Sequence, residues 1–270
     1  MKKLLFRKQE LFLILISAVV FTMQSCKKES TAESTTLSGA VTRYVSQSVN
    51  LDTGLICYLK FSRNLKDSSG RGNDGTAQNG SFTYVRDRHG NPKGAVVFAD
   101  SRYIEVPEKD IAGLTNATIA LDFYVNAISQ TVLASKMSWS AVAGSPDFYQ
   151  SFELSCRSDA SFSFHLRQKD YCSSTTTGWN PELLSPSSAI QINTWNHVAV
   201  TFNKTVQKLY INGVLVDTDV DTISPICQGE PIRLGVWWLQ DPQYFNGYMD
   251  EFRFYKRALN ATEVKQLSKL

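Results

Sequence analysis

Apolar and polar residues alternate with a period of two through most of the chain beyond residue 50, and Gly, Asn, Asp or Pro separates the alternating runs. Successive side chains of a strand point to opposite faces, so this pattern predicts antiparallel strands joined by short turns. The runs 55–61, 95–98, 103–106, 118–125 and 195–202 are predicted strands. In 118–125, Ile119, Leu121, Phe123 and Val125 share one face, and in 55–61 Leu55, Cys57 and Leu59 do so. Residues 148–156 and 162–168 read as a hairpin. Another surrounds Asn212-Gly213, because a type I′ turn needs two positive φ values and this pair supplies them. Near the end, Asn260-Ala-Thr-Glu263 predicts a helix start in which Asn260 accepts from the Glu263 backbone, with Val264 and Leu267 packed inward. Many short strands and one terminal helix predict an all-β fold: a two-sheet antiparallel jelly-roll sandwich with a short C-terminal helix.

The first 50 residues break this pattern. Lys2, Lys3, Arg7 and Lys8 precede an apolar run at 11–21 that is too short to cross a hydrocarbon layer of ~30 Å as a helix. Met23-Gln24-Ser25-Cys26 comes next, a loose version of a bacterial lipobox. The expectation is a lipoprotein signal peptide at 1–25, cleavage before Cys26 and lipidation of that cysteine. Acyl chains contribute ~0.8 kcal/mol per buried CH₂ and anchor a protein without a transmembrane helix. Residues 26–50, rich in Ser and Thr, read as a flexible tether, and 51–270 as the domain. This places the protein in the bacterial cell envelope as an outer-membrane lipoprotein, with periplasmic and surface facing both open. The signal carries four Lys/Arg and one Glu, which accounts for the whole formal charge of +3. The rest of the chain is neutral and lacks the basic footprint that nucleic acid demands.

Beyond Cys26 the chain has Cys57, Cys156, Cys172 and Cys227, which allow three pairings in an oxidising compartment and form no CxxC zinc element. Cys156 ends one hairpin arm and Cys172 lies past the far end of the other. A disulfide requires Cα atoms within roughly 7 Å, so the expected pair is Cys172 with Cys227.

The order of elements carries a resemblance. Gly54-Leu-Ile-Cys-Tyr-Leu-Lys-Phe61 is followed by Asp67-Ser-Ser-Gly-Arg-Gly-Asn-Asp-Gly75, then Val97-Phe98, Tyr103-Ile-Glu-Val106, Trp195-Asn-His-Val-Ala-Val-Thr-Phe202, Leu209-Tyr-Ile-Asn-Gly213 and Tyr244-Phe-Asn-Gly-Tyr-Met-Asp-Glu-Phe-Arg-Phe-Tyr255. Together these resemble LamG-like jelly-roll domains of the concanavalin A-like lectin/glucanase group, from Gly54 to Leu267. The resemblance implies ligand binding, foremost of carbohydrate, with protein–protein adhesion as the alternative. It also implies a structural calcium between the glycine-rich loop and the last strand, at the positions of Asp67, Asn73 and Asp250. Beside this stands the plainer reading that Asp67 and Asn73 merely hydrogen-bond their turn.

Glucanases of this sandwich carry Glu-x-Asp-x-Glu, or a form one residue longer, on one strand face, and the chain has no such run. Asp250 and Glu251 are adjacent, so regular alternation sends them to opposite faces, and Pro107 interrupts Glu105 and Glu108. His197 reads as a packed histidine and Trp195 as core. These readings argue against an enzyme. Sugars offer apolar C–H faces to aromatic rings and hydroxyls to amides and carboxylates. Trp179, Trp237, Trp238 and Tyr244, in or beside loops, are the candidate contacts to a glycan or polysaccharide.

Overall fold

The alternating runs become two antiparallel sheets. The computed structural model describes residues 49–107, 109–142, 145–166, 182–223, 225–239 and 241–270, with backbone alone at 138–142, 145–150, 238 and 241. The first strands are β1 (Leu55–Leu59), β2 (Thr76–Gln78), β3 (Tyr84–Val85), β4 (Ala95–Phe98), β5 (Tyr103–Val106) and β6 (Ala117–Tyr124). Next come β7 (Thr131–Val142), β8 (Ser145–Cys156), β9 (Phe162–Leu166), β10 (Leu183–Leu184), β11 (Trp195–Phe202) and β12 (Val206–Ile211). The last elements are β13 (Val214–Val220), β14 (Ile232–Leu234), β15 (Val236–Trp238), β16 (Asp241–Tyr244), β17 (Gly247–Tyr255) and the helix α1 (Ala261–Leu267).

Sheet A has eight strands in the order β13-β12-β11-β6-β17-β4-β3, with β1 also on β17; sheet B has seven, β10-β9-β8-β7-β14-β5-β2. The strand β17 is long enough to hold β4 with its first half and β1 with its second. Inner-face side chains of both sheets fill the space between them. Ile119, Leu121 and Phe123 of β6 and Val198, Val200 and Phe202 of β11 join Phe152, Leu154, Phe162 and Phe164 of sheet B in one buried cluster. Rings meet across the layers: Phe164 stacks with Phe202 at 6.3 Å between centroids, and Phe123 meets Phe162 at 5.8 Å. Each such side chain contributes roughly 1.5–3 kcal/mol by leaving water.

A second, smaller cluster lies on the outer face of sheet A. There Val264 and Leu267 of α1 pack on Ala120, Ala199, Tyr210, Tyr255 and Leu259. The predicted capping box is present, with Glu263 N donating to Asn260 Oδ1 at 3.0 Å and Asn260 N donating to Glu263 Oε2 at 2.8 Å. The turn Asn212-Gly213 has φ of 49° and 76°, as type I′ geometry requires. A Cβ on Gly213 would stand 2.3 Å from Ser268 Oγ, so this turn also seats the end of α1. The predicted 148–156 arm is the C-terminal part of a longer strand, β8, which pairs with β9 as expected and with β7 on its other side.

Three details depart from simple alternation. A bulge between Leu55 and Cys57 turns Ile56, Cys57 and Leu59 into the core and leaves Leu55 against the outer cluster. A second bulge lies between Asp250 and Arg253, where Glu251 takes φ of 55°. The extra residue cancels the alternation, so Asp250 and Glu251 both lie on the outer face. Third, Trp195 is not core: it starts β11 half-buried on the outer face of sheet A. Cys57 and Cys156 are free and buried. Cys227 is disulfide-bonded, and Cys172 lies outside the described residues.

Candidate functional site

Three of the four candidate ligand aromatics, Trp237, Trp238 and Tyr244, belong to one small hairpin. Strands β15 and β16 pair with Val236 opposite Tyr244 and Trp238 opposite Asp241. Sheet B fixes this hairpin through hydroxyls: Ser135 Oγ reaches the carbonyls of Val236 and Trp237 at 2.9 Å each, and Thr131 Oγ1 donates to Tyr244 O at 3.2 Å. Gly235 starts it at φ of 85°, and a Cβ there would stand 2.4 Å from the Phe98 ring, so only glycine lets the hairpin lie this close to β4. Trp237 and Tyr244 are half-buried. The side chain of Trp238, and Trp179 as a whole, lie outside the described residues.

The glycine-rich loop is closed by Asp67. Its Oδ1 accepts from Tyr58 N at 2.9 Å and Ser69 N at 2.8 Å; its Oδ2 accepts from Ser69 Oγ at 2.8 Å and Asn73 N at 2.9 Å. Desolvation pulls this carboxyl's pKa up, but the donors outweigh it and hold the pKa below its ordinary value. Asn73 is fully buried, donates to Ile56 O at 2.6 Å, and keeps Oδ1 without a partner among the described residues. Four donors occupy the lone pairs of Asp67 that a cation would use, and Asp250 belongs to a different group, against Asp122. So arranged, Asp67, Asn73 and Asp250 do not fit one hard-cation site, which takes six to eight converging oxygens.

Asp250 stands in a buried cross-strand row on the outer face of sheet A, where His197, Asp122 and Asp250 are register partners on β11, β6 and β17. Arg88, from the turn between β3 and β4, donates to both oxygens of Asp122 at 3.0 Å, and its other nitrogen donates to Ser268 O at 2.5 Å. Nearby, Glu251 accepts from Tyr58 Oη at 2.6 Å and from Arg253, whose guanidinium lies 4.0 Å from the Tyr58 ring centroid. Burial is the leading cause of every shift in the row. It pushes the Asp122 carboxyl up to about 7 against the pull of Arg88, and Asp250 up to about 8 with help from Glu251. It also pushes His197 down to about 3, and both ring nitrogens of that residue lack partners among the described residues. Asp122, Asp250 and Glu251 thus form a trio of carboxyls on one face that alternation alone does not predict. Asp122 and Asp250 are almost wholly buried, and Asp122 and Glu251 are tied to arginines, so the trio lacks the open cleft a glycosidase pair needs.

One row further out on the same face lie three half-buried rings. Trp195 and Tyr248 are both register partners of Tyr124. Tyr124 and Tyr248 stack with centroids 5.1 Å apart, Trp195 meets Tyr124 edge-on at 5.9 Å, and Trp195 and Tyr248 are 6.5 Å apart. The signal for this group lay in three aromatics at the open ends of strands, but only the strand pairing reveals that they meet.

The two-sheet antiparallel sandwich is matched by a family model and by solved structures. Residues 98–265 match the Laminin_G_3 model, and the chain belongs to the concanavalin A-like lectin/glucanases superfamily. Solved structures agree on the fold. The binding domain of Paraclostridial Mosquitocidal Protein 1 aligns at TM-score 0.62 and 18% identity over 81% of this chain and 52% of that one. Domain 4 of AbnA, a GH43 extracellular arabinanase from Geobacillus stearothermophilus solved with arabinotriose, aligns at TM-score 0.53 and 21% identity over 79% of this chain and 98% of that one. The binding domain of Botulinum Neurotoxin DC in complex with SialylT aligns at 0.59 and 16% over 82% and 52%. This chain therefore spans about half the length of the two toxin domains. Among curated proteins no sequence matches.

Proposed function

We propose that this protein is a non-catalytic carbohydrate-binding module held at the bacterial envelope by lipid on Cys26. The observation that carries the reading is the β15–β16 hairpin, which gathers Trp237, Trp238 and Tyr244 onto a strap fixed by Ser135 and Thr131. The arabinotriose and SialylT complexes of fold neighbours support a glycan ligand. The closed state of the carboxyl trio supports binding without cleavage. A disulfide between Cys227 and Cys172 would brace the loop that carries Trp179, and the bonded state of Cys227 supports that pairing. Docking of a protein partner is the second reading, favoured by Val214, Leu215 and Val220 of β13, which are 64%, 46% and 72% exposed.

The test is affinity electrophoresis through gels of neutral and acidic polysaccharides, run with calcium and with chelator. The expected result is retention without release of sugar, lost in Trp238→Ala while the fold is kept. Because donors already occupy Asp67, chelator is expected to leave retention unchanged. Released sugar would revive the enzyme, and no retention on any gel would move the function to a protein partner. The anchor is checked by fractionation, with Cys26→Ser expected in the soluble fraction.

A further inference from the structure

The row Trp195–Tyr124–Tyr248 is shaped unlike an ordinary cross-strand stripe. Strands two apart in a sheet are separated by roughly 9–10 Å, at about 4.8 Å per neighbour. The rings of Trp195 and Tyr248, on strands two apart, are only 6.5 Å from each other. They lean together over the central Tyr124 and close a triangle. On the same strands the inner-face neighbours Asn196, Phe123 and Met249 are buried, while Trp195, Tyr124 and Tyr248 keep solvent contact. The helix α1 roofs the same face at Ala120 and Ala199, on the far side of the His197–Asp122–Asp250 row, and does not itself cover the triangle.

The rim segments at the ends of these three strands are polar without charge. Asn126 follows β6, Asn193 precedes β11 and Asn246 precedes β17, and all three are exposed. Asn193 N donates to Val125 O at 2.8 Å, which ties two of these strand ends together. The segments 125–130, 191–194 and 245–247 contain no Asp, Glu, Lys or Arg. Behind the rings, Arg88 neutralises Asp122 and Arg253 neutralises Glu251. Aromatic faces rimmed by uncharged amides suit the C–H faces and hydroxyls of an uncharged sugar; an acidic glycan would find no cation in these rim segments.

The triangle is also next to the hairpin. Tyr244 of β16 and Tyr248 of β17 are four residues apart, which limits the distance between their Cα atoms to about 14 Å. Gly247 makes the approach of β17 possible, since a Cβ there would stand 2.2 Å from Tyr124 O. We propose that Trp195, Tyr124 and Tyr248, with Asn126, Asn193 and Asn246, form a second saccharide subsite, so that one uncharged glycan chain runs from the hairpin over the end of the sandwich onto the outer face of sheet A. This inference rests on the glycan-binding reading and adds a site and a ligand class to it.

The experiment uses the full chain in affinity gels of barley β-glucan, arabinan and xylan, with pectate as the acidic comparison. Trp195→Ala removes a ring. Asn126→Ala/Asn246→Ala alters only exposed loop positions and so tests the site even if the first variant folds poorly. We expect both to lose at least fivefold in affinity on whichever neutral gel retards the parent protein, and Trp238→Ala to lose more. If the asparagine pair variant, and Trp195→Ala where it folds, migrate as the parent does on a gel that Trp238→Ala no longer feels, the second subsite is refuted and the hairpin site stands. Retardation by pectate alone overturns the uncharged class. A parent protein that no gel retards overturns both this inference and the glycan-binding reading.

Discussion

The two faces of β6 are both largely closed to water, by different means. On the inner face Ile119, Leu121 and Phe123 meet apolar side chains from the opposite sheet, a contact defined by volume and without direction. On the outer face Thr118, Ala120 and Asp122 are buried nearly as well, but each under its own cover. Thr118 Oγ1 donates to Arg257 O at 2.8 Å, α1 lies over Ala120, and Arg88 clamps Asp122. Tyr124 alone is half-covered, by Trp195 and Tyr248. One strand therefore shows two ways to fail. Loss of volume on the inner face leaves a cavity shared by many neighbours, whereas loss of one group on the outer face strands a single partner.

The largest effect should come from the inner face. Phe123→Ala is expected to lower stability by about 3–5 kcal/mol, as large-to-small changes of buried phenylalanine do. A urea midpoint that falls with an unchanged slope would show it; a loss below about 1 kcal/mol would mean that the inner face can collapse around the gap. On the outer face, Asp122→Ala leaves the Arg88 guanidinium without its carboxylate. Breaking a fully buried pair costs about 3–5 kcal/mol, but the Arg88 side chain is 15% exposed, so about 2 kcal/mol is expected. The distinguishing variant is Arg88→Met/Asp122→Leu, which removes both charges and should lose less than Asp122→Ala alone. If the two substitutions simply add, the outer face is held by packing in the same way as the inner one, and the contrast collapses.

The inner face is legible in the sequence and the outer face is not, and the reason is physical. Period-two alternation records which residues face the other sheet, so Ile119, Leu121, Phe123 and Val125 can be assigned before any pairing is known. The Asn212-Gly213 turn and the Asn260 capping box are equally readable, because each is a local rule satisfied within a few residues. The cover of the outer face comes from distant segments: Arg88 is 34 residues from Asp122. Alternation also fails wherever a bulge adds a residue, which is why Asp250 and Glu251, adjacent in the chain, share a face. Trp195 reads as core from its place in an apolar run; its strand starts at the open end of the face, where coverage stops. The hairpin aromatics are readable as loop-borne, while the pairing of β15 with β16 that carries them is not.

The smallest effect is the most specific to the outer face. Asp250 has no cationic partner among the described residues; its carboxylate accepts from Glu251 N at 2.8 Å, and it faces Glu251, Asp122 and Asp87. Its pKa is pushed up to about 8 from 3.8, burial first, so the folded state holds a proton that the unfolded state releases. That contribution is fully present below about pH 4 and is lost as pH rises through about 8. His197 acts in the opposite sense. Its pKa is pushed down to about 3 from 6.5, so it destabilises the fold as pH falls below 6.5 and has no effect above that. Between pH 6.5 and 8 the downward slope of stability therefore belongs to the buried carboxyls, Asp250 and Asp122, of which Asp122 feels Arg88 and Arg253. Asp250→Asn keeps the size of the side chain and removes its titration. It should flatten the decline over this interval by on the order of 1 kcal/mol, read from urea midpoints at each pH. An unchanged slope would mean that Asp250 is already ionised in the folded protein, and that the outer face, unlike the core it backs, admits enough water to solvate a charge.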